Sequence, residues 1–187
     1  MLLSELARPT RHELIGRDVE VKELIYNSRK VKNGDVFCCI VGTFADGHKY
    51  AQQAVDAGAA ALVVERKLDI DVPQILVEDT RIAMAEMAAA YYGYPSREMQ
   101  MIGVTGTNGK TSTTYMLKAI AERMGKKVGL IGTIRNMIGD IIIDTERTTP
   151  ESVDLQRILR QMKDEKVDVV IMEVSSHSLD QKRVHGI

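Results

Sequence analysis

The stretch Gly103-Val104-Thr105-Gly106-Thr107-Asn108-Gly109-Lys110-Thr111-Ser112 decides the fold. Residues 99–105 before it form an apolar run of strand length, and residues 111–124 after it have the pattern of a helix that stops at Gly125. Strand, glycine loop and helix together are the setting that a phosphate-binding loop requires. Gly106 and Gly109 let backbone N–H groups close around a phosphate chain, and the helix N-terminus adds partial positive charge on the same side. Lys110 is expected to reach the β- and γ-phosphates, and Thr111 to offer its hydroxyl to Mg²⁺. Thr107, Asn108 and Ser112 complete the expected ATP contacts. The common pattern has a glycine where Val104 stands, so this is a variant loop. A plain glycine-rich turn with a solvated lysine is the bland alternative, and it would not call for a lysine-threonine pair opening a helix.

Outward from the loop, strand and helix alternate. Residues 19–26, 35–41, 60–65 and 74–77 read as strands; residues 48–57 and 80–92 read as helices, the second with Thr80 as N-cap and Gly93 as stop. Beyond the loop come a strand at 127–131, a hairpin at 135–144 turning at Gly139-Asp140, a helix near 151–163 and a strand at 168–173. The class is α/β with a mainly parallel sheet in the second half. Breakers at Gly93-Tyr94-Pro95-Ser96-Arg97 put a domain boundary near residue 98, giving domains 1–98 and 99–187.

Composition narrows the function classes. Hydrophobic residues make up 44% and charged residues 27% of the 187, the formal net charge is −1, and basic residues are scattered. That balance excludes a disordered chain and argues against a nucleic-acid or anionic-lipid partner. The start, MLLSELARPTRHEL, lacks the apolar core of a signal peptide, and no segment reaches membrane-spanning length. A cytoplasmic protein is expected. Cys38 and Cys39 sit together in an apolar run, where free buried thiols are expected and a vicinal disulfide or metal site is the sharper alternative.

The spelling GxxGTNGKT at 103–111 resembles the Mur ligases, and four further motifs are similar to the branch that adds the third amino acid of the peptidoglycan precursor. The first is Asn27-Ser28-Arg29 with Lys32-Asn33-Gly34-Asp35-Val36-Phe37, where Ser28 matches a uridine-nucleotide contact and Asn27 replaces the usual aspartate. The second is Gly42-Thr43-Phe44-Ala45-Asp46-Gly47-His48, expected to shape the uridine pocket; without the family, His48 reads as a surface residue at a helix start. The third is Thr148-Thr149-Pro150, implied to hold the muramyl part of the substrate, beside the plain reading of an N-cap with a helix-starting proline. The fourth is Glu173-Val174-Ser175-Ser176-His177-Ser178-Leu179 with Gln181 and Arg183. There Glu173 and His177 are implied metal ligands with catalytic roles, and Ser175, Gln181 and Arg183 implied substrate contacts.

The resemblance implies an ATP-dependent, amide-forming ligase with Mg²⁺. ATP would phosphorylate a carboxylate of UDP-N-acetylmuramoyl-L-alanyl-D-glutamate, and the amine of meso-diaminopimelate or L-lysine would attack the acyl phosphate. Lys110 would offset charge during the transfer. A uridine-nucleotide-binding domain is implied for 1–98 and the first part of an ATP-binding domain for 99–187. The family's carbamylated lysine and third domain lie beyond residue 187, so an inactive, monomeric fragment is expected. Another Mur ligase step, or a non-catalytic nucleotide-binding module, remains the alternative.

Overall fold

In the computed structural model, residues 1–42, 45–143 and 147–187 are described. Thr43 and Phe44 of the second motif, and Asp144 at the end of the expected hairpin, lie outside them. The chain divides into two compact units, Met1–Tyr91 and Tyr92–Ile187. The division falls before the expected position at 98 because the short turn Pro95–Glu98 packs on a helix of the second unit and on the strand that follows it.

The first unit runs α1 (Leu3–Ala7), β1 (Glu13–Ile15), β2 (Leu24–Ile25), β3 (Val36–Cys38), α2 (Ala51–Asp56), β4 (Ala61–Val64), β5 (Gln74–Leu76) and α3 (Thr80–Tyr91). Its sheet has the order β1-β5-β4-β3-β2, parallel except for β1 against β5. Phe37, Cys39, Leu62 and Val64 face α2, where Ala51 and Ala54 permit close approach. Cys38 and Cys39 are fully buried and free. The expected strand at 19–26 keeps only β2, with Glu20 bridging to Leu2. The expected helix at 48–57 opens as a 3-10 turn, Gly47–Tyr50, before α2 begins. α1 and β1 were not expected, being too short to carry a period.

The N-cap of α3 is corrected. Asp79 Oδ1 accepts from Arg81 N at 2.8 Å and Ile82 N at 3.0 Å, which is the capping geometry, and Thr80 is already helical. The Thr80 hydroxyl and amide instead donate to Glu65 Oε1.

The second unit comprises β6 (Gln100–Val104), α4 (Lys110–Arg123), β7 (Val128–Ile131), β8 (Asn136–Ile138), β9 (Ile141–Ile143), α5 (Ser152–Asp164), β10 (Val169–Glu173) and α6 (Ser176–Asp180). The sheet order is β6-β10-β7-β8-β9, with β10 parallel to both neighbours and the β7-β8-β9 meander antiparallel. Strand β10 therefore lies between the two strands joined by α4. Side-chain alternation splits it: Val169 and Ile171 pack toward Tyr115, Leu117 and Ala121 of α4, while Val170 and Met172 pack with Leu155, Leu159 and Met162 of α5. Burying leucines of this kind stabilises by about 1.5–3 kcal/mol each. By the same parity Glu173 belongs to the α4 face. Among the described residues, no helix is long and apolar enough to cross a membrane.

Candidate active site

Register brings three strand ends level. Glu173 pairs with Val104 of β6, and Met172 with Ile131 of β7, so the glycine loop and Gly132-Thr133 flank the Glu173 side chain. This is the C-terminal edge of the parallel strands, where ligands bind in open α/β sheets. Loop residues Gly106, Thr107, Asn108 and Gly109 are exposed, as is Ser112 in the first turn of α4. Gly109 is the N-cap of α4 in the left-handed region, φ 80°, a conformation costly for any side chain. Lys110 Nζ donates to Gly106 O at 2.7 Å, holding its ammonium over the loop.

Glu173 is buried to 1% exposure, and its carboxylate is held by donors. Thr111 Oγ1 lies 3.0 Å from each oxygen, Thr133 N donates to Oε1 at 3.0 Å, and Thr133 Oγ1 donates to Oε2 at 3.0 Å. Such charge-assisted bonds are what a buried carboxylate needs. Thr133 Oγ1 also lies 3.0 Å from Thr148 Oγ1. A carboxylate only accepts, so the Thr133 proton is committed to Glu173 and the Thr148 hydroxyl donates to Thr133.

The other expected residues divide by what they touch. Thr149 is buried; its hydroxyl donates to Glu173 O at 2.8 Å and accepts from Ser175 N at 3.2 Å, stitching the end of β10 in place. These bonds give Thr149 a framework role and leave the expected substrate contact untested. Ser175 caps α6, its Oγ accepting from Ser178 N at 3.1 Å. Arg183 is engaged as well, reaching Thr149 O at 3.0 Å, Glu151 Oε1 at 3.1 Å and Gln181 Oε1 at 3.1 Å. His177 stands exposed on α6 and is not brought into hydrogen-bonding contact with Glu173. Gly132, Thr133 and Glu151 were not singled out from sequence, although Gly132-Thr133 follows an apolar strand end as Glu173 ends one.

The oxygens available to a metal ion beside the loop are the Thr111 hydroxyl and the Glu173 carboxylate. Among the described residues no cluster of three or more His, Cys, Asp or Glu is gathered. One carboxylate and one hydroxyl beside a phosphate loop fit Mg²⁺, which keeps water and phosphate oxygens in its shell, better than a metal caged by protein.

In the first unit, Ser28 opens a 3-10 turn and lines a cavity of about 320 Å³ with Tyr26, Asn27, Arg29, Phe37 and Tyr50. Ser28 Oγ lies 3.4 Å from Gln53 Oε1, and Asn27 caps the turn through Arg29 N. His48 is buried rather than on the surface, as its plain reading had it. Its Nε2 accepts from Glu65 N at 2.9 Å, so Nδ1 carries the proton and donates to Asp46 Oδ1 at 2.6 Å. The Arg66 guanidinium, 2.6 Å from Asp46, and the bonds from His48 hold the Asp46 carboxyl well below the usual carboxylate range.

Residues 104–187 match the model of the Mur ligase middle domain, and residues 20–92 that of the Mur ligase family, catalytic domain. The chain belongs to the Mur ligase family. Among Mur ligases it is 53% identical over 173 residues to UDP-N-acetylmuramoyl-L-alanyl-D-glutamate--2,6-diaminopimelate ligase of Clostridium botulinum, covering 90% of this chain and 36% of that protein. The chain thus spans about a third of the length of the curated relatives it matches, 36% for both the Clostridium botulinum and the Bacillus velezensis proteins. A solved structure of a ligase of the same name superposes with a TM-score of 0.77 at 27% identity, over 89% of this chain and 34% of the other. The Mur ligase MurF from Thermotoga maritima, solved in complex with ADP, gives 0.53 at 26% identity, over 83% and 32%.

Proposed function

We propose that this chain supplies the ATP site and the uridine-nucleotide site of a ligase that joins a diamino acid to UDP-N-acetylmuramoyl-L-alanyl-D-glutamate. The observation that carries this reading is the meeting of Thr111 and Glu173, 3.0 Å apart, beside the exposed loop at 106–109. ADP in the Thermotoga maritima relative supports ATP as the nucleotide, and the name of the Clostridium botulinum relative favours 2,6-diaminopimelate as the amine. The unit Met1–Tyr91 takes the uridine end through Ser28 and the cavity around it, and the unit Tyr92–Ile187 takes ATP.

In the reaction a glutamyl carboxylate oxygen attacks the γ-phosphorus and ADP leaves. The amine then attacks the acyl phosphate carbon, expelling phosphate and losing a proton as the amide forms. Loop N–H groups and the start of α4 bind the phosphate chain, and Lys110 swings from Gly106 O to the β- and γ-phosphates. Mg²⁺, when bound, offsets charge on the phosphates. Thr111 and Glu173 would hold it, while Thr149 and Arg183 keep the end of β10 and the start of α6 in register. His177, exposed on α6, would offer its imidazole to metal. Thr148, whose proton goes to Thr133, offers lone pairs and therefore meets a substrate N–H or O–H. ATP and a UDP-linked sugar as substrates point to the cytoplasm.

The test uses the protein purified from its own cells. One ADP is expected per UDP-linked tripeptide formed with 2,6-diaminopimelate, and both products are expected to vanish in Lys110→Ala and Glu173→Gln. Tripeptide formation that persists in Lys110→Ala would sink the reading.

A further inference from the structure

The Glu173 carboxylate rests on Gly132-Thr133, and that pair has no role in the reaction as described so far. A Cβ placed on Gly132 would meet Glu173 Oε1 at 2.4 Å and its carboxyl carbon at 3.2 Å, so only glycine leaves room for the side chain there. The next residue closes the cradle. Thr133 donates twice, its N–H to Oε1 and its hydroxyl to Oε2, both at 3.0 Å. Two donors from one residue to the two oxygens of one carboxylate fix its plane as well as its position. Thr111 holds the same carboxylate from the first turn of α4 through a single hydroxyl. That hydroxyl is shared with the ligand: on ligating a metal ion through a lone pair, Thr111 must take the angle the metal sets. The Thr133 donors carry no such second duty, and Thr133 itself is exposed, with its hydroxyl linked onward to Thr148.

We propose that Thr133 is a positioning residue: seated on the Gly132 cradle, it fixes the plane of the Glu173 carboxylate so that one oxygen stays aimed at a divalent cation beside the nucleotide. The inference rests on the reading of Glu173 as a holder of that cation. Because Thr148 donates to Thr133, the cation position and the Thr148 position are joined by one directed chain of hydroxyls, Thr148 to Thr133 to Glu173. Losing the Thr133 hydroxyl frees the carboxylate to rotate and leaves Oε2 with the Thr111 bond alone.

The experiment is a Mn²⁺ titration of the 187-residue chain followed by electron paramagnetic resonance, with a non-hydrolysable ATP analogue present. Thr133→Val is expected to weaken Mn²⁺ binding about tenfold and to broaden the bound-ion spectrum, as loss of one charge-assisted bond would. Thr133→Ser, which keeps the hydroxyl, is expected to stay within about twofold of wild type, whereas Glu173→Gln loses the site. Wild-type Mn²⁺ affinity in Thr133→Val together with loss in Glu173→Gln overturns the positioning role and leaves Glu173 as the holder. Failure of rescue by Thr133→Ser overturns it too. Retained binding in Glu173→Gln, or none in wild type, overturns the reading of Glu173 and the inference with it. Should Thr133→Val not fold, Thr133→Ala supplies the same comparison.

Discussion

The Thr111 hydroxyl lies 3.0 Å from each carboxylate oxygen of Glu173, across a separation of 62 residues in the chain. Thr111→Val keeps the shape and removes the donor, leaving the carboxylate to the two bonds from Thr133. A bond to a buried charge contributes about 1.5–3 kcal/mol, so a lowered urea midpoint is expected. Mg²⁺-dependent ATP binding by calorimetry should weaken about tenfold or more. An unchanged midpoint and unchanged binding together would remove this pair from the site.

Lys110 gives the opposite signature. Its bond to Gly106 O sits on an exposed loop, so Lys110→Ala should change stability by no more than about 0.5 kcal/mol. ATP affinity should nevertheless fall about tenfold or more, because a charge-assisted contact to phosphate is lost. Wild-type ATP affinity in this variant is the result that would count against the loop.

These contrasts reflect what local sequence encodes. The loop, helices α4 and α5, the β8-β9 hairpin and the parallel class were legible because period, glycine placement and turn residues act over a few positions. The place of β10 between β6 and β7 was not, since strand order depends on contacts distant in sequence. That order is what sets Glu173 beside the loop and Gly132-Thr133 beneath it. Likewise nothing local showed that Thr149 would stitch the end of β10, because its partners lie 24 and 26 residues away. The plain reading of His48 as a surface residue failed for a related reason: its Nε2 partner, Glu65 N–H just past β4, is 17 residues away.

Thr149→Val tests that stitching. It leaves Glu173 O and Ser175 N without their partner, at about 1–3 kcal/mol for each orphaned group. Thr149→Ser should keep most of the lost stability in urea unfolding. A Thr149→Val chain as stable as wild type would overturn the stitching role.

The vicinal thiols predict a pH dependence. Burial pushes Cys38 well up and Cys39 to about 12, whereas an unfolded-chain thiol titrates near about 8.5. Their contribution to stability is therefore complete below about 8.5 and is lost as pH rises from there toward 12. Native protein at pH 8 should leave both thiols unreacted with a disulfide reagent until urea is added. Rapid labelling of the native chain would contradict their burial.

The insertion of β10 also orders events in time. Strand β6 emerges from the ribosome early, yet its partner among the described residues is β10, made after α4, β7, the hairpin and α5. The nascent chain must carry the glycine loop on an unpaired strand until residue 173 is available, and the edge meanwhile invites mispairing. Sheet closure and completion of the carboxylate's cradle are then one event, so a chain with its nucleotide site formed has also finished this step of folding.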